Sequence, residues 1–230
     1  MKKPRCKFSE FFSEFSFRPL RPAPPCLQKM RSVPFAFALC FTAQMASAHA
    51  ASVQVQVLDG AGKPLADAVA FLESREARSA SRPVHGAEMA QTAKQFDPKV
   101  LVVPVGTSVQ FPNRDTVRHH VYSFSPAKPF ELKLYAGSAA NPVVFDKSGI
   151  AVLGCNIHDN MTAWVVVVDT PHYGRTAAPG KVLMVNVPAG SYSLRVWHPG
   201  LAPGAAALEQ PMAVGAGDAA ATVRMTGLTP

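Results

Sequence analysis

Cysteine is scarce in this chain and unevenly placed. Of the four in 230 residues, Cys6, Cys26 and Cys40 fall within the first fifty, and Cys155 alone lies beyond them. Residues 51–230 therefore hold no internal disulfide, and their stability must come from packing. Charge is also sparse, at 17% of residues. The formal net charge of +8 is concentrated at the start. Residues 1–50 hold eight Lys/Arg and two Asp/Glu, leaving 15 basic and 13 acidic side chains in the rest. A body so close to neutral lacks the electrostatic footprint of nucleic-acid binding. No apolar run reaches the length of a membrane-spanning helix. A helical apolar period is missing too: no segment after residue 50 keeps a 3.6-residue repeat over two turns.

What the first fifty residues do carry is an export signal, MRSVPFAFALCFTAQMASAHA, residues 30–50. Arg31 supplies a short basic region, Val33 to Ala46 are mostly apolar, and Ala48-His49-Ala50 is a small-x-small cleavage site. Residues 1–29 show no periodicity and read as a mis-assigned leader ahead of a start at Met30. Cys40 does not mark a lipid anchor, because apolar residues continue past it. The expectation is a mature, periplasmic chain. In that oxidising compartment a lone thiol invites intermolecular disulfides unless something protects it, and a bound metal would.

The apolar runs beyond residue 50 are short and bounded by turn residues: SVQVQVLD (52–59), KVLVVPV (99–105), SVQFPN (108–113), HHVYSF (119–124), AWVVVVD (163–169), KVLMVNV (181–187) and SYSLRVW (191–197). Several alternate with period two, which predicts an all-β protein of sandwich type. Residues 75–98 are polar and irregular and read as a connection. Residues 53–72 form a strand, a turn at Asp59 to Gly62 and a second strand. Residues 180–197 read as another hairpin, turning at Pro188-Ala189-Gly190.

These two end segments, D-x-x-G-x-P-L-x-x-A-V and V-P-A-G-x-Y-x-L, together resemble the carboxypeptidase-regulatory-like, transthyretin-type sandwich. About a hundred residues separate them here, which implies an inserted domain; chain ends near in space make insertion easy. The expected division is residues 51–82 with 171–230 for that sandwich, and 83–170 for the insert.

The insert holds the chemistry. Cys155-x-x-His158-x-x-Met161 follows Gly154 and precedes an apolar strand, while His119 and His120 open another strand upstream. Copper in electron-transfer sites takes a thiolate, two imidazoles near one plane and a weak axial thioether. The loop offers three of these donors but cannot close the plane alone. The second imidazole must come from a neighbouring strand, and period two lets only one of His119 and His120 face the metal. Zinc is the rival, with Asp115 and Asp159 as carboxylate donors, but methionine suits copper better. His85, His172 and His198 lack ligand spacing, and His198, in W-H-P-G, reads as a turn residue. Asn113 and Asp115 read either as plain turn residues or as hydrogen-bonding supports for the site.

The C-x-x-H-x-x-M loop, with His119-His120-Val121 in place of the family's H-N-V stretch, resembles the cupredoxins of amicyanin type. Residues 95–115 and the Val196-Trp197-His198 stretch are similar to the cupredoxin-type proteins called methylamine-utilisation proteins. The resemblance implies a cupredoxin-like Greek-key β-sandwich, inserted in or packed on the transthyretin-like one. It implies one type 1 copper held by His119, Cys155, His158 and Met161, with His119 rather than His120 as the upstream ligand. The function it implies is single-electron transfer between redox protein partners, of cytochrome or dehydrogenase type. With no open coordination position and no acid–base pair, no enzyme activity is expected. The other readings are a periplasmic copper carrier or storage protein using the same ligands, and a structural or glycan-binding sandwich.

Overall fold

The computed structural model describes residues 50–138 and 141–229. The leader and signal readings, but for Ala50, lie outside the described residues. In chain order the elements are β1 (Ala51–Leu58), β2 (Val69–Glu73), α1 (Arg75–Ala80), β3 (Ala87–Glu88), β4 (Ala90–Thr92) and β5 (Gln95–Asp97). There follow β6 (Val100–Pro104), β7 (Thr107–Gln110), β8 (His119–Ser123), β9 (Phe130–Tyr135), β10 (Val143–Phe145), β11 (Gly149–Gly154) and β12 (Thr162–Val168). The chain closes with β13 (Tyr173–Arg175), β14 (Lys181–Val187), β15 (Gly190–Trp197), β16 (Leu208–Val214) and β17 (Ala219–Arg224). Among the described residues no helix is long and apolar enough to cross a membrane.

The protein is all-β and built as β-sandwiches. Period two decides each layer. In β1, Ala51, Val53, Val55 and Val57 point inward and the residues between them outward. β1 lies between β14, antiparallel to it, and β17, parallel to it. The facing sheet runs β13-β2-β15-β16. Between the two sheets, Val53, Val55, Leu72, Met184, Leu194 and Val223 share one core. The strands from β3 to β12 build a second sandwich, with a five-stranded sheet β6-β12-β11-β8-β9 facing β10-β7-β3. Its core includes Met89, Phe111, Val121, Phe145, Leu153 and Val165.

The run AWVVVVD now has a physical reason. Ala163, Val165 and Val167 of β12 enter the second core. Val166 and Val168 face the other way, against Val69, Phe71 and Trp197 of the first sandwich. A strand buried on both faces has no polar face to keep, so its alternation disappears. Trp164 and Trp197 meet across this seam at 6.3 Å between ring centroids.

Two local expectations are corrected. Residues 180–197 are not a hairpin: β14 pairs with β1, whereas β15 pairs with β2 and β16. The Pro188-Ala189 turn carries the chain from one sheet to the other. Turn residues report that the chain reverses, not whether the flanking strands pair or pack. Residues 75–98 are not a bare connection either. They hold α1, capped where the Ser74 hydroxyl accepts from the Ala77 N–H at 3.0 Å, the short β3, and the β4–β5 hairpin.

Candidate metal centre

β11 and β12 pair antiparallel down to Gly154 and Thr162, so residues 155–161 cap that hairpin as one loop. Two backbone bonds tighten it: Met161 N–H donates to the His158 carbonyl at 2.9 Å and Thr162 N–H to Asn160 at 3.1 Å. Cys155, 4% exposed, and the fully buried Met161 both belong to the second core. Gly154 is needed where it stands. A Cβ there would lie 2.7 Å from the Tyr122 ring, and its absence lets β8 pair with β11 at Tyr122–Gly154.

β8 brings the upstream imidazole. His119 is completely buried, with Nδ1 3.8 Å from the Cys155 Sγ. His158 Nδ1 lies 3.9 Å from the same sulfur. The donor atoms of His119, Cys155 and His158 all fall within 4.8 Å of one another. His120 faces away. Its Nδ1 lies 3.0 Å from Asn156 Nδ2 and its ring meets Tyr122 edge-on. Its Nε2 is 3.0 Å from a Glu131 oxygen, outside hydrogen-bonding geometry. Of the sequence candidates, then, three donor side chains come together and His120 does not join them.

Asp115 and Asn113 are supports and not idle turn residues. The Asp115 carboxylate accepts from the His119 Nε2–H at 2.7 Å, the Ala93 N–H at 2.7 Å and the Lys94 N–H at 2.9 Å. Burial raises the Asp115 carboxyl, but the bonds from Lys94, His119 and Ala93 outweigh it and hold the group below its ordinary value. Asn113 donates to the carbonyls of Val117 and Tyr135 and accepts from the Asp115 N–H. That side chain sets the loop from which Asp115 reaches inward.

Sequence reasoning missed Tyr135 and Gln91. The Tyr135 hydroxyl lies 2.9 Å from Gln91 Oε1 and 2.6 Å from the Phe111 carbonyl. Burial, opposed by the Gln91 bond and reinforced by the Cys155 charge, pushes this hydroxyl up to about 12. Nothing local marks either residue, since their partnership spans 44 positions. The remaining histidines stay apart from the cluster. His85 is exposed, His172 packs on Tyr192, and His198 accepts from the Gly200 N–H at 2.9 Å as a turn residue.

A site of this kind can be tested by size. Metal–sulfur and metal–nitrogen bonds of ~2.3 and ~2.05 Å, as at zinc, put the two donors about 3.8 Å apart at 120° and about 3.6 Å apart at a tetrahedral angle. The observed 3.8 and 3.9 Å lie within about 0.3 Å of both values. The donor set therefore fits a metal ion held by one thiolate and two imidazoles.

No protein-family model matches the chain, and no curated protein matches it in sequence. Among solved structures it is similar to a purple cupredoxin from Nitrosopumilus maritimus, at 24% identity and a TM-score of 0.32 over 36% of this chain and 99% of that one. A reduced single-substitution variant of amicyanin gives 22% identity and 0.34, over 43% of this chain and 98% of that one. A Cu-containing nitrite reductase from Thermus scotoductus SA-01 gives 23% and 0.34, over 49% and 28%. These neighbours are cupredoxin-type copper proteins. At such scores the functional reading rests on the side chains themselves.

Proposed function

We propose that the protein is a periplasmic type 1 copper protein that passes single electrons between redox partners. One observation carries the reading: two imidazole nitrogens stand 3.8 and 3.9 Å from a single buried thiol. Copper and zinc both take these donors, and Met161 in the same loop favours copper, which accepts a thioether that zinc sites do not use. Cys155, His119 and His158 would form the plane, and Met161 would supply the weak axial sulfur. Bound there, copper supplies a one-electron couple.

The protein's own part is to hold these donors still. Cys155 and His158 sit on a loop tied at both ends to a hairpin, and His119 sits on a strand of the same sheet. Donors fixed by a packed sandwich move little when the metal changes charge, which keeps the reorganisation accompanying transfer small. His158 is the least buried of the three and is the edge where electrons enter and leave. Redox proteins, and not a small-molecule substrate, are the partners this arrangement suits, and no catalytic role is assigned to it.

Titration of the purified protein with Cu(II), followed by visible absorption, tests the reading. An intense thiolate-to-copper band saturating at one equivalent is expected. A colourless stoichiometric complex would overturn it.

A further inference from the structure

We infer that Asp115 is a positioning residue for this site, acting by tying His119 to the turn at Ala93 and Lys94; the inference rests on the copper reading above. β4 and β5 are joined through Ala93 and Lys94, which adopt φ of +52° and +57°. Two-residue hairpin turns with both centres in the left-handed region are normally built from Asn-Gly or similar pairs. Here neither residue is glycine. The two amides of this strained turn converge instead on one carboxylate, Ala93 on Oδ1 and Lys94 on Oδ2.

With both oxygens held, the carboxylate cannot swing, and its third bond, from His119 Nε2–H to Oδ2, has a fixed direction. The hairpin is itself laced to the loop that carries Asp115. Gln91 N–H donates to the Pro112 carbonyl at 2.8 Å and Arg114 N–H to the Gln91 carbonyl at 2.9 Å. The turn, the loop and the imidazole thus form one unit.

This arrangement has two consequences for His119. A carboxylate accepting at Nε2 keeps the proton on that nitrogen and leaves Nδ1, the atom facing Cys155, as a free donor. The negative charge also makes the imidazole a stronger donor, which favours the more highly charged state of a bound metal. A plain fastener of the turn would do neither.

The experiment has two arms. In the metal-free protein, ¹⁵N NMR of the His119 ring is expected to show the Nε2–H form, and Asp115→Asn to give a mixture of tautomers. A wild-type ring protonated on Nδ1, or no change in the variant, overturns the inference. In the copper-loaded protein, Asp115→Asn is expected to raise the reduction potential by a tenfold change in the oxidised-to-reduced ratio, about 59 mV.

The same substitution in an Ala93→Gly/Lys94→Gly background, where the turn needs no clamp, separates the roles. Persistence of the shift there supports the inference, and its disappearance shows that Asp115 only holds the turn. That background also keeps the test open should Asp115→Asn alone not fold, and Asp115→Glu is expected to restore part of the shift. If the wild-type protein gives no thiolate–copper band, the copper reading falls by itself, and the tautomer arm still decides the role of Asp115.

Discussion

His119 Nδ1 stands 3.8 Å from Cys155 Sγ across 36 residues of chain. Two strands of one sheet make that approach: β8 carries the imidazole and β11 ends one residue before the thiol. Because Gly154 has no side chain, Tyr122 lies against the backbone beside Cys155. The metal reading therefore depends on sheet pairing as much as on the donors.

Cys155→Ser is expected to abolish the visible band in Cu(II)-loaded protein, since Cys155 is the one cysteine among the described residues. Absorption spectra of the two proteins at equal copper check this. Equal colour in the Ser variant would remove the thiolate from the assignment.

His119→Ala is expected to disrupt the site and His120→Ala to leave the band largely in place. The side chains point to opposite faces of β8, and only His119 reaches the sulfur. His120 does touch Asn156, beside Cys155, so a modest change in band position is expected from its loss. Parallel copper titrations decide between the two. Loss of the band in His120→Ala with retention in His119→Ala would show the register to be wrong.

Met161→Leu separates an axial donor from a core filler. The two side chains are close in volume, so the change should cost less than about 1.5 kcal/mol of stability in this packed position. Loss of the thioether should disfavour Cu(II) and raise the potential, while the band persists. Voltammetry readily resolves a shift on the order of 59 mV, tenfold in the ratio. An unchanged potential would mean that Met161 only packs the loop.

Acid should weaken the metal-free protein through two histidines outside the site. Burial lowers His172 from its ordinary value of 6.5. Burial likewise lowers His198, Lys99 adding to it while the Ala66 backbone and Asp67 oppose. A histidine whose folded value is depressed binds its proton more readily when unfolded. Its stabilising contribution is thus complete above pH 6.5 and is lost as pH falls below 6.5 and through the folded value. Urea melts between pH 7.5 and 5 should show declining stability, and His172→Gln with His198→Gln should flatten the decline. A slope unaffected by the double substitution would place the acid sensitivity elsewhere.

Much of this molecule is readable without coordinates. The strands with a strict period of two or an unbroken valine run were legible because burial on one face or both leaves its mark in adjacent residues. The expected strands 52–59, 99–105, 108–113, 119–124, 163–169, 181–187 and 191–197 all correspond to strands of the fold within a few residues. β9, β16 and β17 were not among the expected strands: β9 buries no residue fully, and β16 and β17 bury only Met212, Val214 and Val223. The C-x-x-H-x-x-M loop is equally local, since seven residues suffice to name its donors.

Other features were decided only in three dimensions. Parity says that one of His119 and His120 faces inward, but which one depends on the sheet to which β8 belongs. Whether β14 and β15 pair or pack depends on partners more than a hundred residues away, β1 and β2. Asp115 could be read as a turn residue until the β4–β5 turn was seen to place two amides on its carboxylate. A sequence records what each residue prefers next to its neighbours. Which distant groups satisfy a half-buried carboxylate or flank a thiol is set by the packing of the sheets.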